Sequence, residues 1–259
     1  MSAQAGVRAR RVLITGAGRG IGRETAIRLA ADGARVLGVS RTAEELNTLA
    51  RDAGVEVLAA SVADAAGCRA VAAEAVARLG GIDVLIHAAG VDTHREQPIW
   101  LQDETVWSET MAVNADAAFE LTRLLAGPMT ERGWGRIVFV SSTAGLTGGP
   151  ACSAYVASKH AVIGIMRAAA IDTAPFGVTV NAVLPGWVRG TGMSDRTIEL
   201  TSERDGITVE EAWRRIEVAT PGGRVVSPVE VAATIAFLVS DSAAAITGEA
   251  VRVAYGSTW

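Results

Sequence analysis

Lysine is almost absent from this chain: its 259 residues include one, Lys159, and every other basic side chain, histidines aside, is arginine. Cysteine is nearly as rare, with two copies, Cys68 and Cys152. Their separation matches neither metal-ligand spacing nor a disulfide pattern, so no metal site is expected and a reducing compartment is. No apolar run approaches the roughly 18 uninterrupted positions of a membrane helix, although 49% of the residues are apolar. Arg8, Arg10 and Arg11 precede only a short apolar run before Gly16, which is too short for a signal-peptide core. A cytoplasmic protein with no membrane contact is the expectation. The net charge of −4 is spread without blocks, and the missing basic stripe argues against a nucleic-acid partner. The length suits one large α/β domain or two small ones.

The lone lysine follows Tyr155 by four residues, so on a helix the two share a face. A phenol with its ordinary pKa of about 10 becomes a usable proton donor or acceptor near neutrality when a neighbouring charge stabilises its phenolate. Lysine is a compact charge that can trade protons, and arginine is a wide, permanently charged fork. Tyr155 and Lys159 are therefore the first candidates for chemistry.

Arg11-Val12-Leu13-Ile14-Thr15 predicts a strand running into Gly16-Ala17-Gly18-Arg19-Gly20-Ile21-Gly22, and a helical pattern follows to Ala30. Strand, glycine turn and helix together form the context in which glycines let the backbone approach a pyrophosphate seated on a helix N-terminus. A second strand, Arg35 to Ser40, ends at Arg41-Thr42. An acidic residue there would bond a ribose 2′-hydroxyl, whereas an arginine matches a 2′-phosphate. Arg41, with Arg19 able to reach the same phosphate, favours NADP(H); NAD(H) remains the alternative.

The alternation continues through a helix at Ala43 to Ala53, a strand at Val55 to Ala60, a helix at Ala65 to Leu79 and a strand at Val84 to Ala88. Gly90 then permits close backbone approach. A long helix is expected from Leu101 to Ala126; Asn114 inside it competes for backbone hydrogen bonds, so it either points to solvent or has a task. Arg136 to Val140 predicts the fifth strand, with Ser141-Ser142 at the edge where open parallel sheets bind ligands. Beyond a Gly/Pro-rich segment, Gly145 to Pro150, the Tyr155 helix runs to about Ala174. A sixth strand at Val178 to Val183 ends in Pro185-Gly186. Residues 187–221 lose the alternation and predict a lid, with one helix at Val209 to Val218. A helix at Pro228 to Val239 and a strand at Ala250 to Val253 close a single βαβ series over residues 1–259.

These residues, in this order, make the sequence resemble the short-chain dehydrogenase/reductase family from Val12 to Gly256: the Thr15-Gly16-x-x-x-Gly20-x-Gly22 turn, Asn114, Ser142, Tyr155-x-x-x-Lys159, Pro185-Gly186 and Thr247-Gly248. The glycine turn with Arg19 and the Ser40-Arg41-Thr42 run look most like its NADPH-preferring carbonyl reductases, while the lid and C-terminal helix also resemble bacterial ketoreductases and hydroxyacid dehydrogenases. The resemblance implies a Rossmann-type α/β fold, doubly wound, with a seven-stranded, mostly parallel sheet between helices. It implies a tetrad in which Tyr155 exchanges a proton with the substrate oxygen and Ser142 bonds that oxygen. Lys159 would lower the Tyr155 pKa and hold the nicotinamide ribose, and Asn114 would anchor a water that relays protons. Cofactor contacts would come from Gly16, Arg19, Gly20, Ile21 and Gly22, then Ser40, Arg41 and Thr42, with Ser61 and Val62 flanking adenine. Ala89, Gly90, Tyr155, Lys159, Pro185, Gly186, Val188 and Thr191 would complete the site. A homo-oligomer, tetramer or dimer, would form through the helices bearing Asn114 and Tyr155.

Four departures from the family pattern stand out. His87-Ala88-Ala89-Gly90 replaces Asn-Asn-Ala-Gly, which puts local sheet stability in question and leaves His87 as either a structural imidazole or a base. Ser61 replaces an acidic residue, Thr191 is displaced by Gly190, and Tyr255-Gly256 replaces a glycine pair. For the substrate, Trp187 and Met193, with Trp213, Ile99 and Trp100, either wall an apolar pocket or pack the lid or a subunit contact. Arg189 and Arg95 either meet an acidic substrate or are solvated. The leading expectation is an NADP(H)-dependent oxidoreductase interconverting a small ketone and a secondary alcohol. The alternatives are an NAD(H)-dependent alcohol or hydroxyacid dehydrogenase working in oxidation, and a nucleotide-binding regulatory protein without turnover.

Overall fold

Strand β1 (Arg11–Thr15) shows how the sequence divides its core. Its side chains alternate, so Leu13 packs on one face of the sheet while Val12 and Ile14 pack on the other, and each face needs its own helical layer. In a computed structural model describing residues 9–92 and 97–258, those layers cover a seven-stranded sheet in the order β3-β2-β1-β4-β5-β6-β7. The other strands are β2 (Arg35–Ser40), β3 (Glu56–Ala59), β4 (Val84–His87), β5 (Gly135–Val140), β6 (Val178–Pro185) and β7 (Ala250–Val253). Each pairing among the described residues is parallel. Helices α1 (Gly20–Ala31), α2 (Ala43–Ala53) and α9 (Pro228–Leu238) cover the face of Val12 and Ile14. The opposite face is covered by α3 (Ala65–Leu79), α5 (Ala117–Glu131) and α6 (Ser153–Thr173). No helix among the described residues is long and apolar enough to cross a membrane.

Two expectations need correction. The single helix expected from Leu101 to Ala126 is instead a 3-10 turn at Ile99–Leu101, helix α4 (Glu104–Met111) and a π-helical turn (Ala112–Asp116) that runs into α5. Asp103 caps α4 by accepting from the Thr105 amide at 2.7 Å, a start signal that the apolar periodicity hides. The 187–221 segment contains two helices rather than one, α7 (Gly192–Asp205) and α8 (Val209–Ala219). Helix α7 gives no periodic signal because it buries a single residue, Ile198, and so lacks an apolar stripe. The two helices pack on each other around Ile198, Ala212 and Trp213.

Candidate active site

From β1 the chain winds outward through β2 and β3, then returns to start β4 on the other side of β1. In an open parallel sheet the crevice at such a reversal, outside the strands' C-terminal ends, binds ligands. Here it is a groove walled by the glycine turn after β1, the ends of β2 and β4, Ser142 after β5, helix α6 and the start of α7.

The turn is built for backbone approach. Gly16 has φ 72°, and a β-carbon there would lie 2.6 Å from the Ala89 nitrogen; one on Gly22 would collide with the Gly16 carbonyl oxygen. Helix α1 starts at Gly20 without a side-chain cap or an acidic residue in its first turn, so its leading N–H groups remain available to an anion. A cradle that any side chain would fill, beneath an uncapped helix N-terminus, fits the pyrophosphate of a dinucleotide.

Ser142, Tyr155 and Lys159 meet at the far end of this groove. Ser142 caps a 3-10 turn, Thr143–Gly145, by accepting from the Ala144 amide at 3.1 Å, and its hydroxyl also bonds the Tyr155 phenol. Burial pushes the phenol up to about 12, with the Ser142 bond working the other way. Lys159 stands 5.5 Å from the Tyr155 ring centroid and donates from Nζ to the Val140 carbonyl at 3.0 Å. Burial pulls it down to about 8. The expected lowering of the phenol by the lysine is thus not what dominates; desolvation moves both groups toward their neutral forms. The Asp92 carboxylate favours the protonated form of each. At neutral pH the phenol is a proton donor and the lysine is charged, though within reach of losing its proton.

Asn114 has a definite task. The π turn aims its side chain at the β4 loop, where Oδ1 accepts from the Val91 amide at 2.8 Å and Nδ2 donates to the Val91 carbonyl at 3.0 Å. The same Nδ2 reaches Ser158 Oγ at 2.9 Å, tying that loop to α6 beside Lys159. A β-carbon on Gly90 would stand 3.3 Å from Lys159 Nζ and 3.5 Å from Asn114 Oδ1, so the glycine leaves room where the two converge.

His87 is structural. Its Nε2 lies 3.2 Å from the Val113 carbonyl, which only accepts, so Nε2 carries the proton and Nδ1 accepts from the Thr15 hydroxyl at 2.9 Å. Thr15 Oγ1 in turn accepts from the Ala89 amide at 3.3 Å. This relay joins β1, β4 and the π turn, doing the cross-strand bonding for which Ala88 has no side-chain group. Burial, aided by the Lys159 charge, pulls the imidazole down to about 4, so it is neutral at physiological pH.

The profile of the family described as short chain dehydrogenase matches residues 10–200. The chain belongs to that family. It is an oxidoreductase acting on the alcohol–carbonyl couple, and short chain dehydrogenases bind a nicotinamide dinucleotide. It is 40% identical over 251 residues to a putative ketoacyl reductase of Streptomyces coelicolor, covering 94% of this chain and 95% of that one. A D-beta-hydroxybutyrate dehydrogenase of Cupriavidus necator is 34% identical over 244 residues, covering 91% of this chain and 93% of that one. An actinorhodin polyketide ketoreductase variant solved with NADPH superposes with a TM-score of 0.89 at 37% identity, covering 99% of this chain and 98% of that chain.

In this short chain dehydrogenase the cofactor residues expected from sequence, from Gly16 through Arg41, Ser61 and Gly90 to Thr191, all line the one groove, with Ser142 and Met193. Trp187 is a correction. Its ring meets Trp213 edge-on at 6.4 Å within the α7–α8 cluster, because the lid helices carry a small core of their own, and it is not part of the groove wall. Ile99 and Trp100 lie exposed on the 3-10 turn before α4. Arg189 pairs with Glu210 at 2.7 Å and stacks over Trp213, which occupies it within the lid; Arg95 lies outside the described residues. The Thr191 hydroxyl is engaged in capping α7, accepting from the Ser194 amide and donating to Val188. Tyr255, at φ 48°, bonds Arg224 and Glu230 and so ties the C-terminal segment to the base of the lid. Sequence reasoning missed Glu45, which lines the groove from the first turn of α2, and Ser158, which anchors Asn114.

Proposed function

We propose that this protein is an NADP(H)-dependent reductase that converts a ketone to a secondary alcohol, with Tyr155 as the general acid. The convergence of the Ser142 hydroxyl on the Tyr155 phenol, in the groove that also holds the glycine turn, supports this reading most strongly. When bound, the dinucleotide supplies the hydride. Ser142 donates a hydrogen bond to the carbonyl oxygen as negative charge develops there, and Tyr155 transfers its phenolic proton to that oxygen. Lys159, held by the Val140 carbonyl, keeps a positive charge beside the phenolate that remains and holds the nicotinamide ribose hydroxyls. Asn114 fixes the loop of Gly90 and Val91 against α6 and so keeps Lys159 in register.

Arg19 and Arg41 at the adenosine end support NADP(H), as does the polyketide ketoreductase solved with NADPH. The relatives named as ketoacyl reductases put a 3-ketoacyl thioester first among the substrates to try. A second reading, oxidation of a hydroxy acid with NAD(H), is favoured by the hydroxybutyrate dehydrogenase relative. The α4–α6 side exposes Trp107, Phe119 and Ile171, which supports self-association through that face. The test is consumption of NADPH and of NADH over a panel of ketones that includes 3-ketoacyl thioesters, cyclic ketones and 3-ketobutyrate. Turnover that survives intact in Tyr155→Phe defeats the mechanism, and NADH preference defeats the cofactor assignment.

A further inference from the structure

The adenosine end of the groove holds an acidic residue among the two arginines. Glu45 belongs to the first turn of α2, yet its side chain folds back across the mouth of the glycine turn. Its Oε1 lies 3.8 Å from Arg19 Nη1. Its Oε2 lies 2.5 Å from where a β-carbon on residue 18 would stand, and Ser40 Oγ lies 2.9 Å from the same point. The missing side chain of Gly18 is what admits the carboxylate. Arg19 is confined on its other side, because a β-carbon on Gly192 at the start of α7 would meet its Cζ at 2.9 Å. Arg41 pairs with no carboxylate among the described residues, and Thr42, the residue that caps α2, makes no side-chain cap bond. The surroundings therefore suit an anion, and Glu45 is the anion the chain itself provides.

We propose that Glu45 is a specificity-determining residue of the cofactor site, a built-in competitor for Arg19 that holds the preference for NADP(H) over NAD(H) below what two arginines would give. The proposal rests on the reading that this groove binds a nicotinamide dinucleotide. The pair is exposed, with side-chain accessibilities of 70% for Arg19 and 31% for Glu45, so its hold on the arginine is weak and a doubly charged phosphate can displace it. Displacement still leaves a carboxylate close to that phosphate, and the repulsion lowers affinity most for the cofactor that carries the additional phosphate. NAD(H) carries a ribose hydroxyl there and leaves the Arg19–Glu45 pair in place.

The experiment measures dissociation constants of NADP+ and NAD+, and of 2′,5′-ADP and 5′-AMP as probes of the adenosine end, by calorimetry on the full chain. The proteins are wild type, Glu45→Gln, Arg19→Ala and the double variant. Glu45→Gln keeps the shape and removes the charge. It is expected to tighten NADP+ and 2′,5′-ADP about tenfold, the scale of a unit-charge repulsion a few ångströms away in a partly solvated groove, while NAD+ and 5′-AMP change by less than about twofold. In the Arg19→Ala background the gain should shrink, since part of it comes from releasing that arginine. Unchanged NADP+ binding in Glu45→Gln overturns the proposal. So does a selective loss of NAD+ binding, which would make Glu45 a ribose ligand. Wild type preferring NAD+ defeats the NADP(H) reading alone, because Glu45→Gln must still shift the ratio toward NADP+; binding of neither cofactor refutes both.

Discussion

Acid should weaken this fold through one buried imidazole, and a His87→Asn protein should be spared that part of the loss. His87 is 1% exposed and its folded-state pKa is about 4, against about 6.5 for an ordinary histidine. Between those values the unfolded chain takes up a proton that the folded chain refuses. The contribution to stability is therefore complete above the unfolded value and declines as the pH falls toward the folded one. Each pH unit inside the window is worth about 1.4 kcal/mol, so moving from about pH 7 to about pH 4.5 removes about 2 kcal/mol. The physical event is protonation of Nδ1, which turns the acceptor of the Thr15 hydroxyl into a donor, forces that hydroxyl to turn its own proton away from the ring, and places a positive charge in a buried site near the Lys159 charge. Asparagine cannot titrate and cannot span from Thr15 to Val113, so His87→Asn should cost about 1–2 kcal/mol near neutrality. Carboxylates held low by arginine partners, such as Asp83 beside Arg11, also lose stability in acid, but equally in both proteins. The measurement is urea unfolding of wild type and variant across this pH range. The stability gap between them should shrink by about 2 kcal/mol on acidification, and a gap that stays constant refutes the reasoning.

Lys159→Arg should keep its circular dichroism and lose at least about a hundredfold in kcat, because the wide guanidinium cannot occupy the slot between the Val140 carbonyl and Gly90; near-normal turnover would count against the assigned role. The reduction rate at saturating substrates should fall above about pH 8 as Lys159 discharges, while Tyr155, near 12, stays protonated throughout; a flat profile to about pH 10 would contradict this ordering. Asn114→Ala should lower stability by about 2–3 kcal/mol, since it strips partners from both backbone groups of Val91, and calorimetric melting that barely moves would refute the clamp. Size-exclusion chromatography with light scattering should report a dimer or tetramer, and Trp107→Glu with Ile171→Glu should shift it toward monomer.

Sequence alone determined the alternation of strands and helices, because strands buried on both faces read as short apolar runs and covering helices carry a stripe that repeats every 3.6 residues. It also determined which residues cluster, since the glycine turn, Ser142 and Pro185-Gly186 sit at strand C-termini, and parallel pairing brings those ends to one edge. What it could not determine depends on contacts between residues far apart in the chain. The task of Asn114 depends on Val91 and Ser158, 23 and 44 residues away, and on a π turn that no periodicity announces. His87 is read as structural only once Thr15 and Val113 are seen on its two nitrogens. Trp187 lies against Trp213 and outside the groove because α7, which buries Ile198 alone, packs on α8 in a small core that also takes in Trp187. The pair that stood out at first, Tyr155 and Lys159, shows the division most clearly. Their spacing puts them on one helix face, but the direction in which each pKa moves is set by burial, and burial belongs to the assembled structure.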